Sequence, residues 1–442
     1  MKQITPTDAD YDEARQLFNR AIDGRPSVIA QCETAADVVE ALSYAAGQSL
    51  EVAVRAGGHS VSGLSTNNGG LVIDVRPMKT IEIDPSRRTA RVGAGVTWGE
   101  FDAAAQKHGL VVTGGRATST GVAGFTLGGG DGWLSRAFSL ACDNLISVTL
   151  VTAEGREIRA SESENPDLFW GLHGGGGNFG VATEFEFGLH KLGPIVLAGL
   201  AAWPYDRAPE ISRAYRDLML SAPDELGSGL AVISGPPEEF VPPGLVGQTL
   251  VGVAACYAGP VEEGKDALKP LIDLDPTINL IAPMPYTEMQ IMLTDPPGFR
   301  HYWSADYHDS FDDDAIEVFL DAGANRVSPL TQQFLIAWGG AVARVPDDAT
   351  PLSQRNSMWV SHPFAVWEEP EDAEANVEWV RNFRRNIAPH TNGGVYLNFI
   401  GQEGQDRVRA AYGEDKYKRL AAIKGEFDPK NTFKGNQNIK PA

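Results

Sequence analysis

The feature that most restricts the fold of this chain is a histidine directly after two glycines, His59 after Gly57 and Gly58. The segment follows the apolar-rich run 50–54, so the glycines stand where a strand is expected to end. Glycines lack a Cβ and let backbone N–H groups approach a flat, charged ligand, as a phosphate-binding nest requires. A second glycine-rich segment covers 118–130. Together the two segments predict a large dinucleotide held by the backbone.

Composition narrows the class of function. The 442 residues carry a formal net charge of -21, which argues against a nucleic-acid partner because phosphate contacts need clustered Lys and Arg. An excess of acidic residues most often keeps a protein soluble, although adaptation to a salty habitat or the binding of cationic substrates would also account for it. Cys32, Cys142 and Cys256 are widely spaced and form no CxxC pair, so neither a disulfide framework nor a zinc site is expected. Without a signal-like N-terminus or a membrane-spanning stretch, we expect a cytoplasmic protein with no membrane partner.

Short β-rich runs alternate with Gly-rich turns up to about residue 195. Helices are indicated at 206–220 and 312–323, the second with Ser310 as its N-cap. In the N-terminal part, the pattern predicts a helix capped by Thr34 and strands at 71–75, 80–84, 89–92 and 147–152. Further along the chain it predicts a strand at 334–338. We therefore expect one domain at 1–195, a substrate-binding domain at 196–394 and a segment at 395–442 that returns to the first domain.

The sequence excludes three familiar types of site. Gly175-x-Gly177-x-x-Gly180 has the spacing of a dinucleotide-binding fingerprint, but the alternating run 181–187 predicts a strand after it and not a helix. The serines around His59 have the wrong spacing for a nucleophile elbow. No HExxH motif or paired Cys/His spacing is present, so no metal is predicted.

A series of motifs follows a fixed order along the chain, at segments 55–60, 69–74, 121–130, 140–145, 165–170, 174–181, 396–399, 428–433 and 436–439. In this order they resemble the motifs of the FAD-linked oxidases of the vanillyl-alcohol-oxidase (PCMH) superfamily, and among them the berberine-bridge-enzyme-like branch. The resemblance implies an α+β fold with a PCMH-type FAD-binding domain of two α/β subdomains. It also implies a substrate domain with an antiparallel sheet covered by helices.

The resemblance also implies where FAD binds. Family histidines at the place of His59 bond covalently to the flavin, and Ala117 stands where many members carry a second, cysteine link, so attachment through His59 alone is expected. A small-molecule substrate and O2 as electron acceptor are implied as partners. The cofactor-binding residues implied are Arg55, Ala56, Gly57, Gly58, His59, Ser60, Gly63, Leu64, Thr118, Ser119, Thr120, Gly121, Gly124, Thr126, Gly128, Gly129, Asp143, Asn144, Gly180, Val181, Asn436 and Gln437.

The catalytic residues implied by the resemblance are Tyr396, Asn398 and Phe399. Relatives often use the second tyrosine of Tyr-x-Asn-Tyr as a base, and Phe399 takes its place here. In a strand, Tyr396 and Asn398 would share a face and Phe399 would point away. An amine that enters neutral needs little base, whereas an alcohol needs one, which favours amines. Weaker candidates are Gln332, Gln333, Arg300, Tyr302 and Trp303.

The expected function is that of an FAD-dependent oxidoreductase, an oxidase that removes a hydride from an amine, alcohol or sugar carbon. A dehydrogenase with another acceptor stays open, because Thr120 stands where relatives carry the residue that gates oxygen. A flavin-bearing binding protein without turnover stays open too, because both the tyrosine base and the cysteine link are missing.

Overall fold

The computed structural model describes residues 1–292 and 298–442 and has the expected α+β composition. The strands are β1 (Lys2–Ile4), β2 (Val28–Gln31), β3 (Val52–Arg55), β4 (Leu71–Asp74), β5 (Ile81–Asp84), β6 (Thr89–Gly93), β7 (Leu110–Val111), β8 (Leu145–Val151), β9 (Glu157–Ser161), β10 (Val181–Gly188), β11 (His190–Lys191), β12 (Ile195–Pro204), β13 (Leu226–Ser234), β14 (Thr249–Tyr257), β15 (Ile278–Asn279), β16 (Ala282–Pro285), β17 (Arg300–Trp303), β18 (Asp306–His308), β19 (Gln332–Ala337) and β20 (Trp359–Trp367). The helices are α1 (Tyr11–Ala14), α2 (Ala35–Gln48), α3 (Trp98–Gln106), α4 (Val122–Leu127), α5 (Ser135–Phe138), α6 (Pro166–Leu172), α7 (Ala208–Met219), α8 (Val261–Ile272), α9 (Tyr286–Met292), α10 (Asp313–Ala324), α11 (Gly340–Arg344), α12 (Ala373–Ile387), α13 (Gln405–Tyr412) and α14 (Glu414–Phe427).

Local capping explains where the helices begin. Thr34 caps α2 as predicted, since its hydroxyl accepts from the backbone N–H of Asp37 while the Asp37 carboxylate accepts from the backbone N–H of Thr34. The prediction of Ser310 as the cap of α10 is wrong. The cap is Asp312, whose carboxylate accepts from the backbone N–H of Ala315 at 2.9 Å. A carboxylate caps as well as a hydroxyl and adds favourable charge at the helix N-terminus.

Two sheets form the N-terminal part of the molecule. The first has the order β1-β2-β4-β3, with β2 and β3 parallel to β4, and the second is antiparallel in the order β5-β6-β10-β8-β9. The strands predicted at 71–75, 80–84, 89–92 and 147–152 are β4, β5, β6 and β8, and are confirmed. Strand β10 directly follows the glycine-rich turn, which confirms that the turn does not open a nucleotide-binding helix.

The largest sheet lies in the central part of the chain, in the order β15-β12-β14-β13-β19-β20-β17, with β16 paired to β12 and β18 to β20. Its side chains alternate between two environments, as the pleat requires. On β13, Leu230 and Val232 pack into a core shared with α7, α10 and α12, whereas Gly229 and Ala231 face a cavity on the other side. One face of the sheet is thus covered by helices, and the other is free to contact a ligand.

The C-terminal residues pack against the N-terminal part of the chain. Buried Lys424 on α14 donates to the carbonyl oxygen of Asn178 at 2.6 Å and to the Asp428 carboxylate at 2.7 Å. The largest core contains residues from both chain ends. This packing supports the division that we propose at 1–195, 196–394 and 395–442. No helix in the described ranges is long and apolar enough to cross a membrane.

Candidate active site

A cavity of about 430 Å³ lies between the two glycine-rich segments, the C-terminal segment and the free face of the large sheet. Predicted site residues that line it are Ala56, Gly57, Gly58, His59, Ser60, Leu64, Thr120, Gly121, Gly124, Gly128, Gly180, Asn398, Phe399, Asn436 and Gln437. The weaker candidates Gln332 and Trp303 line it as well. We call the side formed by 56–60, 120–128, 174–180 and 435–437 the glycine wall, and the side formed by β12, β13, β14, β17, β19 and β20 the sheet wall.

The two glycine-rich segments touch each other backbone to backbone. A Cβ placed on Gly57 would lie 2.2 Å from the backbone nitrogen of Gly121, and a Cβ on Gly121 would lie 2.4 Å from that of Gly57. Neither position tolerates a side chain, because backbone atoms cannot move aside as a flexible side chain can. Gly58 has a φ of +71°, a conformation that other residues rarely adopt. The segments therefore form one continuous wall without side chains at the point of contact.

His59 stands at the edge of the glycine wall and is held by two neighbours. Its Nε2 lies 2.9 Å from the Ser119 hydroxyl, and its ring stacks on Phe18 with a centroid distance of 4.2 Å. Phe18 stacks on His301 with its other face, at 4.5 Å. Burial lowers the pKa of His59 to about 4, so the ring is neutral at pH 7. Within the described residues Nδ1 has no hydrogen-bond partner, which leaves one ring nitrogen free to react.

The C-terminal segment completes the glycine wall. The Asn178 side chain donates to the carbonyl oxygens of Gly175 at 2.7 Å and of Gln437 at 3.2 Å. Asn436 donates to the carbonyl oxygen of Phe433 at 2.6 Å, while its own side-chain oxygen is buried without a partner among the described residues. A buried acceptor without a partner is costly unless a ligand supplies the donor.

The sheet wall is largely apolar. His362 on β20 is 4% exposed, and its Nδ1 lies 2.7 Å from the carbonyl oxygen of Ser304. A carbonyl only accepts, so Nδ1 carries the hydrogen and Nε2 keeps its lone pair. The His362 ring stacks on Phe399 at 4.3 Å and meets Trp303 edge-on at 5.8 Å. The other sheet-wall residues are Leu200, Gly229, Ala231, Ile233, Ala254, Gln332, Phe334, Ile336 and Phe364.

The segment 396–399 differs from the strand that we expected. Residues 397–399 form a turn of 3₁₀ helix, so Phe399 lies beside Tyr396, with ring centroids 4.8 Å apart, and does not point away. The Tyr396 hydroxyl is fully buried and accepts from the backbone N–H groups of Gly130 at 2.7 Å and Asp131 at 3.0 Å. Burial raises the pKa of Tyr396 well above its ordinary value. This environment argues against Tyr396 as a base and assigns it to holding the backbone at 130–131.

Asn398 has a similar supporting position, although it lines the cavity. Its side-chain nitrogen donates to the carbonyl oxygen of Phe125 at 2.9 Å and to the Tyr396 hydroxyl at 3.2 Å. A Cβ on Gly128 would lie 1.9 Å from the Asn398 side-chain oxygen, so the glycine leaves room for this amide. Asn398 thereby ties the C-terminal segment to α4.

Several residues predicted to bind the cofactor do not line the cavity. Arg55 is buried and donates to the carbonyl oxygens of Ala14 and Gln16, so its guanidinium is used elsewhere. Asp143 pairs with Arg355 at 2.7 Å, and the Asn144 amide donates to two carbonyl oxygens. These three side chains bind other groups of the protein, and contact of the three residues with the cofactor stays a prediction. Also absent from the lining are Gly63, Thr118, Ser119, Thr126, Gly129, Val181, Gln333, Arg300 and Tyr302.

Phe18, His362, and the pair Arg116 and Asp131, whose side chains meet at 2.7 Å, are among the cavity residues that sequence reasoning missed. None of them belongs to a motif. His362 lies in a strand that is buried along its whole length, where a histidine carries no sequence signal of a site. Only the pairing of Phe334 with His362 across β19 and β20 places it on the cavity side.

The comparisons with known proteins agree with this geometry. A family model described as an FAD binding domain matches residues 26–161, and one described as berberine and berberine like matches 395–440. The chain is 32% identical to (R)-6-hydroxynicotine oxidase of Paenarthrobacter nicotinovorans over 99% of its own length and 96% of the relative's. It is 30% identical to an uncharacterized FAD-linked oxidoreductase, YgaK, of Bacillus subtilis, over the same shares of the two chains.

The chain belongs to the berberine-like FAD-linked oxidoreductases. Its structure resembles the crystal structure of 6-hydroxy-D-nicotine oxidase from Arthrobacter nicotinovorans with a TM-score of 0.90 and 29% identity, covering 100% of this chain and 98% of the other. The oxidoreductase therefore has the expected PCMH-type FAD-binding fold with a substrate domain, and it uses FAD.

The residues of the glycine wall fit FAD. Gly124 and Gly177 line the cavity, and nothing lies within 4 Å of where their Cβ atoms would be, so the backbone is open to a ligand. The free Asn436 oxygen adds an acceptor on the same wall. No cluster of side chains in the described ranges could hold a metal ion. When bound, FAD would supply the oxidoreductase with a hydride acceptor.

Proposed function

We propose that this oxidoreductase is an oxidase that carries FAD on His59 by a covalent bond, removes a hydride from a small amine or alcohol, and passes the electrons to O2. One observation carries the proposal: neutral His59, with Nδ1 unpartnered, stands at the edge of a glycine wall that faces an apolar sheet wall across one cavity. Cofactor and substrate then share one enclosed space.

His59 is suited to form such a bond. A neutral imidazole has a lone pair with which to attack, and the lowered pKa keeps the ring neutral. Ser119 binds Nε2 and Phe18 fixes the plane of the ring, so Nδ1 is the nitrogen left for the bond. Because the ring cannot swing away, the attacking atom is held in one direction.

Among the described residues, no cysteine lines the cavity as a second attachment point. Ala117 lines the cavity where many relatives carry a cysteine. The three cysteines, Cys32, Cys142 and Cys256, are fully buried, and burial raises the pKa of each thiol. Thiols with raised pKa are poor nucleophiles, so none competes with His59.

The test is the fate of the flavin after denaturation. Protein precipitated with acid and run on a denaturing gel is expected to fluoresce under ultraviolet light, whereas His59→Ala protein loses its flavin to the supernatant. His108→Ala is the matched control, because His108 is exposed and outside the cavity. Free FAD released from the wild type would contradict the covalent bond.

A second measurement separates the three functions that the sequence leaves open. The holoenzyme is mixed without oxygen with a panel of amines, alcohols and sugars, and bleaching of the flavin is recorded. An oxidase is bleached and then recovers quickly when O2 is added. Bleaching without recovery until an artificial acceptor is added indicates a dehydrogenase. A flavin that dithionite reduces but no panel compound bleaches indicates a binding protein.

A further inference from the structure

The polar groups of the sheet wall are few. In the described part of the chain its polar groups are the side chains of His362 and Gln332 and the indole N–H of Trp303, and the remaining residues are Phe, aliphatic or glycine. The cavity lining holds one charged pair, Arg116 and Asp131, whose charges offset each other at 2.7 Å. A ligand on the sheet wall therefore meets an apolar surface with very few hydrogen-bonding groups and no uncompensated charge.

His362 presents a lone pair to this space. Its Nδ1 is committed to the Ser304 carbonyl, so Nε2 is the acceptor nitrogen, and no described residue donates to it. Phe399 on one ring face and Trp303 at the edge hold the imidazole in place. A preorganised acceptor in an apolar site favours a ligand that brings its own donor, because an unmatched polar group is costly.

We infer that His362 Nε2 accepts the hydrogen bond and then the proton of the substrate's reacting O–H or N–H group, and that the substrate is an uncharged, largely apolar alcohol or amine and not a sugar. The inference rests on the proposed function. A sugar carries a hydroxyl on nearly every carbon and would leave most of them unpaired against this wall. A charged substrate would lack a counter-ion, since Arg116 and Asp131 already pair.

The atoms and electrons of the proposed oxidation step balance. Oxidation of H–C–X–H to C=X, where X is O or N, breaks the C–H bond and the X–H bond and forms the second C–X bond. The C–H hydrogen leaves with its electron pair to the FAD, the oxidant that the family supplies, and the X–H proton goes to His362 Nε2. Burial lowers the pKa of His362 to about 4, so the ring is neutral at pH 7 and Nε2 keeps the lone pair that accepts the hydrogen bond of the substrate.

Binding tests the acceptor without requiring turnover. Benzyl alcohol and benzyl methyl ether, which lacks the donor, are titrated into the holoenzyme while the flavin absorbance is followed. Wild type is expected to prefer the alcohol about tenfold, as one hydrogen bond typically gives. His362→Phe keeps a ring against Phe399 but has no acceptor, and should lose the preference. Equal preference in His362→Phe and wild type, or no binding of either probe, would overturn the inference.

Reduction kinetics test the proton transfer. With benzyl alcohol, His362→Gln is expected to slow anaerobic flavin reduction by about 10²–10⁴-fold while changing Kd less than about tenfold, the range expected for a lost general base. Benzylamine should be affected less, because its nitrogen lone pair assists hydride loss. His108→Gln is the matched control. A rate in His362→Gln equal to that of wild type, or a sugar as the best reductant of the panel, would contradict the inference and leave the proposed function standing. If no panel compound reduces the wild-type flavin, the proposed function is wrong. The comparison of benzyl alcohol with benzyl methyl ether then still tests whether His362 accepts a hydrogen bond.

Discussion

The two walls of the cavity are built by opposite means. The glycine wall removes side chains so that backbone can meet the ligand, and Gly57 and Gly121 contact each other only because neither has a Cβ. The sheet wall is made of side chains that project from the same face of neighbouring strands. Phe334 and His362, at paired positions of β19 and β20, are two of them. A wall of backbone suits a cofactor of fixed shape, whereas a wall of side chains can be altered by substituting one residue at a time. We therefore propose that the glycine wall holds the cofactor and that the sheet wall selects the substrate.

Replacing a glycine of the first wall should have the largest effect. Gly58→Val places a β-branched residue at a φ of +71°, and its Cβ would lie 3.2 Å from the Arg55 Nε and from Leu17. We expect the variant to bind no FAD, as measured by the flavin absorbance of the purified protein. Lys79→Ala should keep full flavin content, since Lys79 pairs with Glu100 outside the cavity. Normal flavin content in Gly58→Val would show that this wall does not hold the cofactor.

The same contrast explains how far the sequence could be interpreted. Glycines and His59 are contiguous in sequence, so their pattern predicts the cofactor wall directly. Strands β4, β5, β6 and β8 were predicted because local alternation and turn residues determine them. In the sheet wall the neighbours come from distant strands, and their common face depends on pairing that no local pattern encodes.

Three predicted site residues have side chains that are bound to other parts of the protein. Asp143 belongs to a family motif, yet its carboxylate pairs with Arg355, more than two hundred residues away in sequence. Arg55 precedes the glycines, but its guanidinium is used by the carbonyl oxygens of Ala14 and Gln16. Tyr396 is in the expected catalytic motif, and its hydroxyl is used by the backbone at 130–131. Each side chain is committed by a tertiary contact that the sequence does not reveal.

Removing the Tyr396 hydroxyl should weaken the attachment of the C-terminal segment to residues 130–131 without removing a base. Tyr396→Phe leaves the buried N–H groups of Gly130 and Asp131 without their acceptor. We expect the free energy of unfolding to fall by about 2–6 kcal/mol, because each of the two unpaired buried donors costs about 1–3 kcal/mol. Thermal or denaturant unfolding measures this, with Tyr44→Phe as the control outside the cavity. A fall of several orders of magnitude in flavin reduction, with flavin content and stability intact, would mean that Tyr396 is the base after all.

The smallest effect is expected at Phe399, where the segment 396–399 meets the sheet wall. Its ring stacks on His362 and touches Tyr396, so it serves as an apolar wall and support. Phe399→Tyr restores the residue that relatives use as a base, yet if His362 already accepts the proton, a second base adds little. We expect amine oxidation to stay within about threefold of wild type or to slow through crowding, and alcohol oxidation to rise only weakly, compared with the 10²–10⁴-fold that a general base typically contributes. Steady-state rates of wild type and Phe399→Tyr with benzylamine and benzyl alcohol measure both effects. A gain of about a hundredfold with the alcohol would mean that position 399 is where the proton is taken up, and that the sheet wall only shapes the substrate.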